Sequence, residues 1–387
     1  MFRLSTLIQS ALAALVLLPS CETLRFYGQA VDGQLEILRK SRPNNHVMAA
    51  AATSPTLRRQ LEAVERIRQF ASTNLSLPGN ESYGKYADLG RKHVVWVVYA
   101  APEFSLKPKT WSYPAIGKMD YRGYFREQDG NALAAQLRQQ GYEVLVGPVD
   151  AYSTLGWFHD PVLNTFVEYP DIDLAETIFH ELTHRKVFHR GDTVFNESLA
   201  TVVAEEGVKR WLRHEGRLTD LRHYQGRLVR RREFHQAVER SRRDLDALYA
   251  SAQPLAVKRL KKAAILAKLR DEFHELRRRW GGRGLEYWLQ EDVNNAHILS
   301  LNIYADKMPL FQNLLVECAG KLDVFFKQAD HLKLPDAHAA AIELAPNFPH
   351  SSGQWPSCYA AARSNPNTGS TLPGPLATTR PYYAPAR

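Results

Sequence analysis

The chain has 387 residues, of which 44% are hydrophobic and 10% aromatic, and it carries 50 Lys and Arg against 41 Asp and Glu. This composition excludes general disorder, because a chain with so much apolar content can bury a sizeable core. No internal repeat is evident, and the length allows one large domain or two lobes. The cations behind the net charge of +9 are unevenly distributed along the chain. Which partners this charge favours therefore depends on where the cations lie.

The first twenty residues have the features of a bacterial lipoprotein signal peptide. One cation among residues 1–3 precedes a short apolar core at 11–18, and residues 18–21, Leu-Pro-Ser-Cys, resemble a lipobox. The apolar run is too short to span a bilayer. We predict lipidation of Cys21 and, because Glu22 follows it, a location in the bacterial cell envelope, at the outer membrane facing the periplasm. An ordinary secretory signal is the alternative.

An N-terminal α+β part is expected over residues 21–170. Its elements follow from a Ser-Pro helix start, from apolar residues at helical spacing and from β-branched runs. They are a helix at 55–74, a strand at 93–100, an alternating segment at 116–125, a helix at 131–140 and a strand at 143–149. A strand-rich first half of this kind leads into a helical second half, which indicates an α+β fold.

The segment after the last predicted strand is a candidate for binding an extended ligand. Residues 147–149, Gly-Pro-Val, lead into a run at 151–157 that contains aromatic residues and Gly. An edge strand and its loop can hold an extended peptide by main-chain pairing. We place substrate contacts at Tyr152, Ser153 and Trp157, with a structural aromatic corner as the alternative.

A His-Glu-x-x-His motif stands at residues 180–184. The surrounding residues 174–189 lack Gly and Pro and carry apolar residues at helical spacing, so they predict a helix. His180 and His184 then stand one turn apart on one face, where two imidazoles can hold one metal ion. Glu181 beside them can serve as general base on the water at that metal. A pair of core histidines without a metal is the alternative.

A catalytic zinc takes three protein ligands and keeps one position open, so a third ligand is needed. His189 lies five residues beyond the motif and faces away from it unless the helix has ended. Residues 190–193, Arg-Gly-Asp-Thr, predict a turn and an N-cap, so a second helix can bring Glu197 back to the histidines. We predict one Zn²⁺ held by His180, His184 and Glu197. The alternative for Glu197 is a role in the helix N-terminus alone.

Residues 209–283 hold 22 Lys and Arg against nine acidic residues, which accounts for the net charge. Apolar residues at helical spacing predict two long helices here, with a turn near Pro254. Nucleic acid is not an expected partner, because an exported protein meets little of it and no nucleic-acid-binding motif is visible. A solvated helical hairpin is expected, and contact with anionic lipid head groups is the functional alternative.

The predicted helical part, residues 171–335, is followed by a tail at 336–387 that is rich in Pro, Ser, Asn and Thr. We expect little packing in this tail. With one cysteine assigned to lipid, Cys318 and Cys358 remain. An oxidising compartment permits one disulfide between them.

The two motifs together resemble those of the gluzincins, the His-Glu-x-x-His peptidases whose third ligand is a glutamate in an Asn-Glu motif on the next helix. Here that motif is Asn196-Glu197. Twelve residues stand between His184 and Glu197, fewer than in thermolysin-like and aminopeptidase N-like enzymes, and Thr201 stands where thermolysin-like enzymes keep an aspartate. The resemblance implies a zincin-like α+β fold, with a small sheet packed beside the zinc helix and a mainly helical C-terminal half.

A second resemblance covers most of the chain, from about residue 25 to 330. Besides the zinc motif it rests on segments that are distributed along both halves of the chain. They are residues 83–89, 95–103, 121–125, 151–158, 160–162 and 294–296. Together they look like a bacterial family of lipoprotein-type zinc peptidases classed as aminopeptidases. This resemblance implies a zinc-dependent hydrolase of peptide bonds with a peptide as substrate.

In gluzincins a Tyr or His from the downstream helical part commonly stabilises the oxyanion. The helix that we predict around residues 294–304 resembles such an element, so Tyr304 is the predicted catalytic group and His297 a second candidate. Asn294 and Asn295 are candidates for substrate contact. Packing or helix capping is the alternative for each of these residues.

The sequence therefore predicts a zinc-dependent metallopeptidase, an aminopeptidase by resemblance, in which Glu181 activates water at the zinc. No acidic motif for a free substrate amine is visible upstream, so endopeptidase activity is left open. The competing hypothesis is a non-catalytic envelope lipoprotein with a structural metal site and a basic helical surface for anionic partners. An intact Glu181 favours the enzyme, because a purely structural site needs no base beside its ligands.

Overall fold

The computed structural model describes residues 21–79, 82–113, 117–151, 159–290, 292–302 and 307–332. The fold is α+β, with short strands in the first half and a mainly helical second half, as predicted. The predicted signal peptide and the predicted tail lie outside the described residues. The domain boundaries that follow from them stay predictions.

The first half alternates short helices with short strands. Its helices are α1 (Cys21–Lys40), α2 (Asn44–Ala49), α3 (Pro55–Asn74), α4 (Glu127–Gln139) and α5 (Asn164–Val167). Its strands are β1 (Arg42–Pro43), β2 (Lys85–Ala87), β3 (Val95–Pro102), β4 (Trp111–Tyr113), β5 (Gly117–Met119), β6 (Tyr121–Tyr124), β7 (Tyr142–Val149) and β8 (Val162–Leu163). The predicted helix at 55–74 is α3, and its N-cap Ser54 accepts a hydrogen bond from Leu57 N at 3.1 Å.

Within the described residues the strands form three small sheets, of orders β1-β2-β8, β6-β3-β7 and β4-β5. The central strand β3 is antiparallel to both of its neighbours. Its side chains alternate between two faces, as a strand requires. Val95, Val97 and Tyr99 join the main core, whereas Val98 and Ala100 pack towards α4 and α1. The same main core contains the apolar residues of the helix that carries the histidine motif, so the sheet and that helix share one core.

The second half is helical. Its elements are α6 (Asp171–Lys186), α7 (Thr193–His214), α8 (Leu218–Ala250), α9 (Leu255–Arg279), α10 (Glu286–Gln290), α11 (Asn295–Asn302), α12 (Met308–Glu317) and α13 (Leu322–His331). Helices α8 and α9 form the predicted hairpin with its turn near Pro254. The hairpin also has an apolar interior, a second core that includes Phe234, Phe273 and Trp288, so only part of its surface is solvated. None of the described helices is both long and apolar enough to cross a bilayer.

Helix α7 packs so closely on α6 that Gly207 has no space for a side chain. A methyl group there would lie 2.8 Å from Cδ2 of Phe179 and 2.9 Å from Cδ1 of Leu75. The Phe179 ring is fully buried and cannot easily move aside. We expect Gly207→Ala to lower the free energy of unfolding by about 1 kcal/mol, because overpacking outweighs the gain in helix propensity.

Gly226 in α8 is the matched control for this substitution. A methyl group at Gly226 would have only the flexible guanidinium of Arg230 within 4 Å, at 3.9 Å. We expect Gly226→Ala to raise the free energy of unfolding by about 0.5–1 kcal/mol. Urea denaturation of both variants measures the difference. Two shifts of the same sign and size would contradict the close contact between α6 and α7.

Candidate metal centre

Helices α6 and α7 are joined by a short connection that folds one helix back on the other. Helix α6 ends at Lys186 and α7 begins at Thr193, with Gly191 at a φ of 79° between them. Asp192 caps α7, since its carboxylate accepts a hydrogen bond from Phe195 N at 2.9 Å. The predicted turn and N-cap are therefore confirmed. The predicted motif helix is confirmed too, although it ends three residues before His189.

The imidazoles of the motif face the carboxylate of Glu197. Nε2 of His180 lies 3.1 Å from Glu197 Oε2, and Nε2 of His184 lies 3.8 Å from Glu197 Oε1. The two imidazole rings are 5.0 Å apart between centroids, as expected for residues one helical turn apart on one face. One ligand atom from each of the three residues lies within 4.8 Å of the others. We call these three residues the metal group.

The metal group fits a zinc ion by burial, by donor type and by spacing. Its side chains are 12% exposed at His180, 1% at His184 and 5% at Glu197. Zinc binds imidazole nitrogens and carboxylate oxygens at about 2.0–2.2 Å, so neighbouring ligand atoms of a tetrahedral site lie roughly 3.4 Å apart. The separations of 3.1 and 3.8 Å lie on either side of that value. The group can therefore hold a metal ion.

Glu181 lies in the same helical turn and is completely buried. It follows His180 directly, so its side chain leaves the helix about 100° away from that of the histidine. The metal group does not include Glu181. The three candidate ligands therefore form a cluster without Glu181, and the role of Glu181 as general base stays a prediction.

His189, the other candidate for third ligand, is engaged elsewhere. Its ring stacks on Phe195 with 3.9 Å between centroids and 10° between planes, and its Nε2 lies 3.1 Å from the carbonyl oxygen of Asp330. Asn196 fixes the same loop, because its Oδ1 accepts from His189 N and its Nδ2 donates to His189 O, both at 2.8 Å. The asparagine of the Asn-Glu motif therefore shapes the α6–α7 connection that places Glu197.

The sequence matches the model of a protein family described as "Putative aminopeptidase" over residues 25–342. The chain belongs to this family. Searches of curated proteins and of solved structures give no match. The family region contains the whole metal group and every helix from α2 to α13. The resemblance inferred from the sequence motifs is confirmed at the level of the family.

Within the family region, acidic residues of α6 and α7 pair with arginines of the basic helix α8. Nη1 of Arg231 lies 2.6 Å from Glu176 Oε1 and 3.1 Å from Glu205 Oε1. Arg227 lies 2.6 Å from Asp173 and 3.0 Å from Glu176. We call these five residues the arginine network. It joins α6, α7 and α8, with Glu176 one helical turn before the first histidine of the motif, and these pairings could not be predicted from the sequence.

The arginine network shifts the pKa values of its carboxyl groups. Burial alone would raise the pKa of Glu176, but Arg231 and Arg227 outweigh it and lower that pKa overall. Burial raises the pKa of Glu205, where Arg231 opposes the shift and Glu176 adds to it. Burial also holds the pKa of the Tyr224 hydroxyl well above its ordinary value. Arg231 is thus the cation that keeps two buried carboxylates together.

Tyr99 on β3 is a buried tyrosine whose pKa responds to the charge of Glu197 in the metal group, and sequence reasoning missed it. It is 1% exposed, and its ring lies 5.4 Å from that of Tyr121 between centroids. Burial, and then the charges of Tyr121, Glu197 and Asp120, raise the pKa of Tyr99 well above its ordinary value. Tyr99 is therefore a neutral phenol close enough to Glu197 to feel its charge. Its only signal in the sequence is its position on the core-facing side of a predicted strand.

The predicted substrate residues Asn294 and Asn295 lie at the start of α11. Asn294 caps this helix, because its Oδ1 accepts from Ala296 N at 2.9 Å. Asn295 is fully buried, and its Nδ2 donates to two carbonyl oxygens at the end of β3, at 2.9 and 3.0 Å. These contacts favour the capping and packing alternative. Substrate contact by either residue stays a prediction.

His297 packs in the second core. Its ring lies 5.8 Å from that of Trp288 between centroids, and burial lowers the pKa of His297 to about 4 despite the nearby Asp292. The imidazole is therefore neutral at pH 7. The role of His297 in stabilising an oxyanion stays a prediction.

Several predicted residues lie outside the described part of the chain or are described only in part. Those outside it are Tyr152, Ser153, Trp157, Tyr304 and Cys358. Cys318 is buried, with its Sγ 3.5 Å from Oε1 of Gln328. Cys21 is the first residue of α1. The substrate loop, the catalytic tyrosine, the disulfide and the lipidation therefore stay predictions.

Proposed function

We propose that this chain is a zinc-dependent metallopeptidase that acts as an aminopeptidase, with one Zn²⁺ held by His180, His184 and Glu197. The observation that carries the proposal is the buried metal group, whose ligand atoms lie within 4.8 Å of one another. The adjacent buried carboxylate of Glu181 supports a catalytic rather than a structural site. Membership of a family described by aminopeptidase activity supports the peptidase class.

The proposed reaction assigns separate work to the residues of the site. A bound zinc ion supplies Lewis acidity, which polarises the peptide carbonyl and acidifies water. Glu181 takes a proton at its carboxylate as the water oxygen attacks the carbonyl carbon, and then passes that proton to the leaving amine nitrogen as the C–N bond breaks. His184 and Glu181 are shielded from bulk water, which keeps this proton transfer between the carboxylate and the substrate.

The third ligand is tested by comparing two residues of the α6–α7 region. We expect Glu197→Ala to lose most of the bound zinc, because two imidazoles alone hold zinc far more weakly than three protein ligands. His189→Ala is the matched control and should keep the zinc, since the His189 ring stacks on Phe195. Zinc content after dialysis against a weak chelator measures both. Loss of zinc in the His189 variant and retention in the Glu197 variant would overturn the assignment.

The proposed activity is tested with matched peptides that differ only in a free or an acetylated N-terminus. The purified protein should release the N-terminal residue of the free peptides, lose this activity in a chelator and regain it with Zn²⁺. Cleavage of both peptide sets at equal rates would reject the aminopeptidase and keep the endopeptidase. Bound zinc without chelator-sensitive hydrolysis of any peptide would instead support the non-catalytic lipoprotein.

We also propose that the chain is a lipoprotein of the bacterial cell envelope, anchored through Cys21 at the outer membrane and facing the periplasm. Mass spectrometry of the N-terminal peptide tests the lipid, which should be present in the wild type and absent in Cys21→Ser. Contact between residues 209–283 and anionic head groups is a separate proposal. Part of that charge is already paired within the protein: Arg259 forms a surface ion pair with Glu103 at 2.6 Å, and two more arginines of this segment belong to the arginine network.

A further inference from the structure

Helix α1 has one face that packs on the rest of the protein. Phe26 and Ile37 on this face are 8% and 1% exposed. Gln29 is 6% exposed, and its Oε1 accepts a hydrogen bond from Phe125 N at 2.9 Å. Gly33 lies directly against the Phe125 ring, which leaves no space for a methyl group at this position. These contacts fix the rotation of α1 about its own axis.

The opposite face of α1 carries an apolar stripe. Its members recur every three or four residues, so they fall on one line along the helix, nearly opposite to the packed face. They are Leu24 (61% exposed), Tyr27 (39%), Val31 (58%), Leu35 (46%) and Leu38 (37%). The stripe runs for roughly 20 Å at 1.5 Å per residue. None of the residues that the structure describes buries it, and it is the densest group of exposed large apolar side chains among them.

We infer that this apolar stripe of α1 lies on a lipid surface and inserts its side chains among the acyl chains. The inference rests on the proposed lipid anchor, because the stripe begins three residues after Cys21, the position of that anchor. A chain anchored at the first residue of α1 holds this helix at the membrane. An apolar face on a helix in that place is then buried in lipid instead of being exposed to water.

The charges of α1 indicate whether apolar burial or electrostatic attraction drives its contact with lipid. The helix has three basic and three acidic side chains, so it has no net charge: they are Arg25, Arg39, Lys40, Glu22, Asp32 and Glu36. Attraction to anionic lipid is therefore small, and apolar burial drives the contact. Binding through the stripe should be insensitive to salt. Binding through the basic hairpin at 209–283 would weaken steeply with salt.

The inference is tested with the full chain in vesicles of phosphatidylethanolamine and phosphatidylglycerol that carry brominated acyl chains. Val31→Cys and Leu35→Cys are each made in a Cys358→Ser parent and labelled with an environment-sensitive fluorophore. The fluorescence of each variant is compared with that of the parent carried through the same labelling. The matched control is Asp32→Cys, because Asp32 is a direct neighbour with a 76% exposed side chain on the flank of the helix. Thermal melting equal to that of the parent shows that each variant is folded.

We expect the bromine to quench the labels at positions 31 and 35 several-fold more than the label at 32, with no change in high salt. Equally weak quenching at all three positions would overturn the inference. Oxidative cross-linking of Val31→Cys into a dimer would also overturn it, because a second copy would then cover the stripe. The inference does not depend on the metal group, so peptidase activity has no bearing on this result.

Discussion

Replacing Glu181 by Gln is expected to lower kcat for peptide hydrolysis by about a hundredfold to ten-thousandfold while the zinc content stays near that of the wild type. Gln has nearly the same shape as Glu but cannot accept the proton of the attacking water. The three ligands are left intact, because the metal group does not include Glu181. Steady-state hydrolysis and metal analysis of the same preparation measure the two quantities together.

Glu168→Gln is the control for this experiment, because Glu168 is an exposed carboxylate just before α6 and should leave kcat unchanged. If Glu181→Gln keeps more than a tenth of the activity, Glu181 is not the base. If it loses zinc together with activity, Glu181 serves the metal and not the substrate proton.

Replacing Arg231 by Met is expected to lower the free energy of unfolding by about 3–5 kcal/mol. The substitution keeps the aliphatic bulk but removes the cation that lies 2.6 Å from Glu176 and 3.1 Å from Glu205. The side chains of these carboxylates are only 17% and 8% exposed, so water cannot replace the lost partner. Urea denaturation at pH 7 measures the change.

The neighbouring Arg232→Met is the matched control, because Arg232 belongs to the same arginine run but is exposed. Its effect on the free energy of unfolding should be within about 0.5 kcal/mol. Equal effects of the two substitutions would show that the basic run acts only through its overall charge.

The loss of unfolding free energy in Arg231→Met is expected to depend on pH, whereas that in Arg232→Met is not. In the wild type the pKa of Glu176 is lowered, so its contribution to stability is present above its unfolded pKa and is lost as the pH falls through the folded pKa. The pKa of Glu205 is already raised by burial in the wild type, and losing Arg231 removes the cation that opposes this shift, whereas Glu176 keeps Arg227 as its partner. A protonated carboxyl is cheaper to bury than a charged one. The deficit of Arg231→Met should therefore shrink as the pH falls from 7 towards about 4.3, the ordinary pKa of Glu. A deficit that grows at low pH would contradict the network.

The metal group could be predicted from the sequence because its geometry depends on two adjacent helices and the short turn between them. Helical spacing places His180 and His184 on one face, and the turn before α7 follows from Gly191 and from the capping Asp192. These two signals were enough to select Glu197 over His189. The elements α3, β3 and β7 were also predictable, because each has a strong period and a clear start.

The surroundings of the metal group could not be predicted, because they depend on which distant residues meet. Composition identifies a basic segment but cannot tell that Arg231 reaches two acids on other helices while Arg232 stays in solvent. In the same way, strand alternation places Tyr99 in a core without indicating that the charge of Glu197 acts on it. The apolar face of α1 was missed for a simpler reason, since no helix was predicted there.

The central claim is that two imidazoles and one carboxylate hold a zinc ion, and X-ray absorption at the zinc edge tests it most directly. The protein should contain about one zinc per chain, with nitrogen and oxygen neighbours at about 2.0–2.2 Å and the multiple-scattering pattern of two imidazoles. The Glu197→Ala variant should lose this signal. A sulfur neighbour at about 2.3 Å, or a zinc that persists unchanged without Glu197, would contradict the assignment of the metal group.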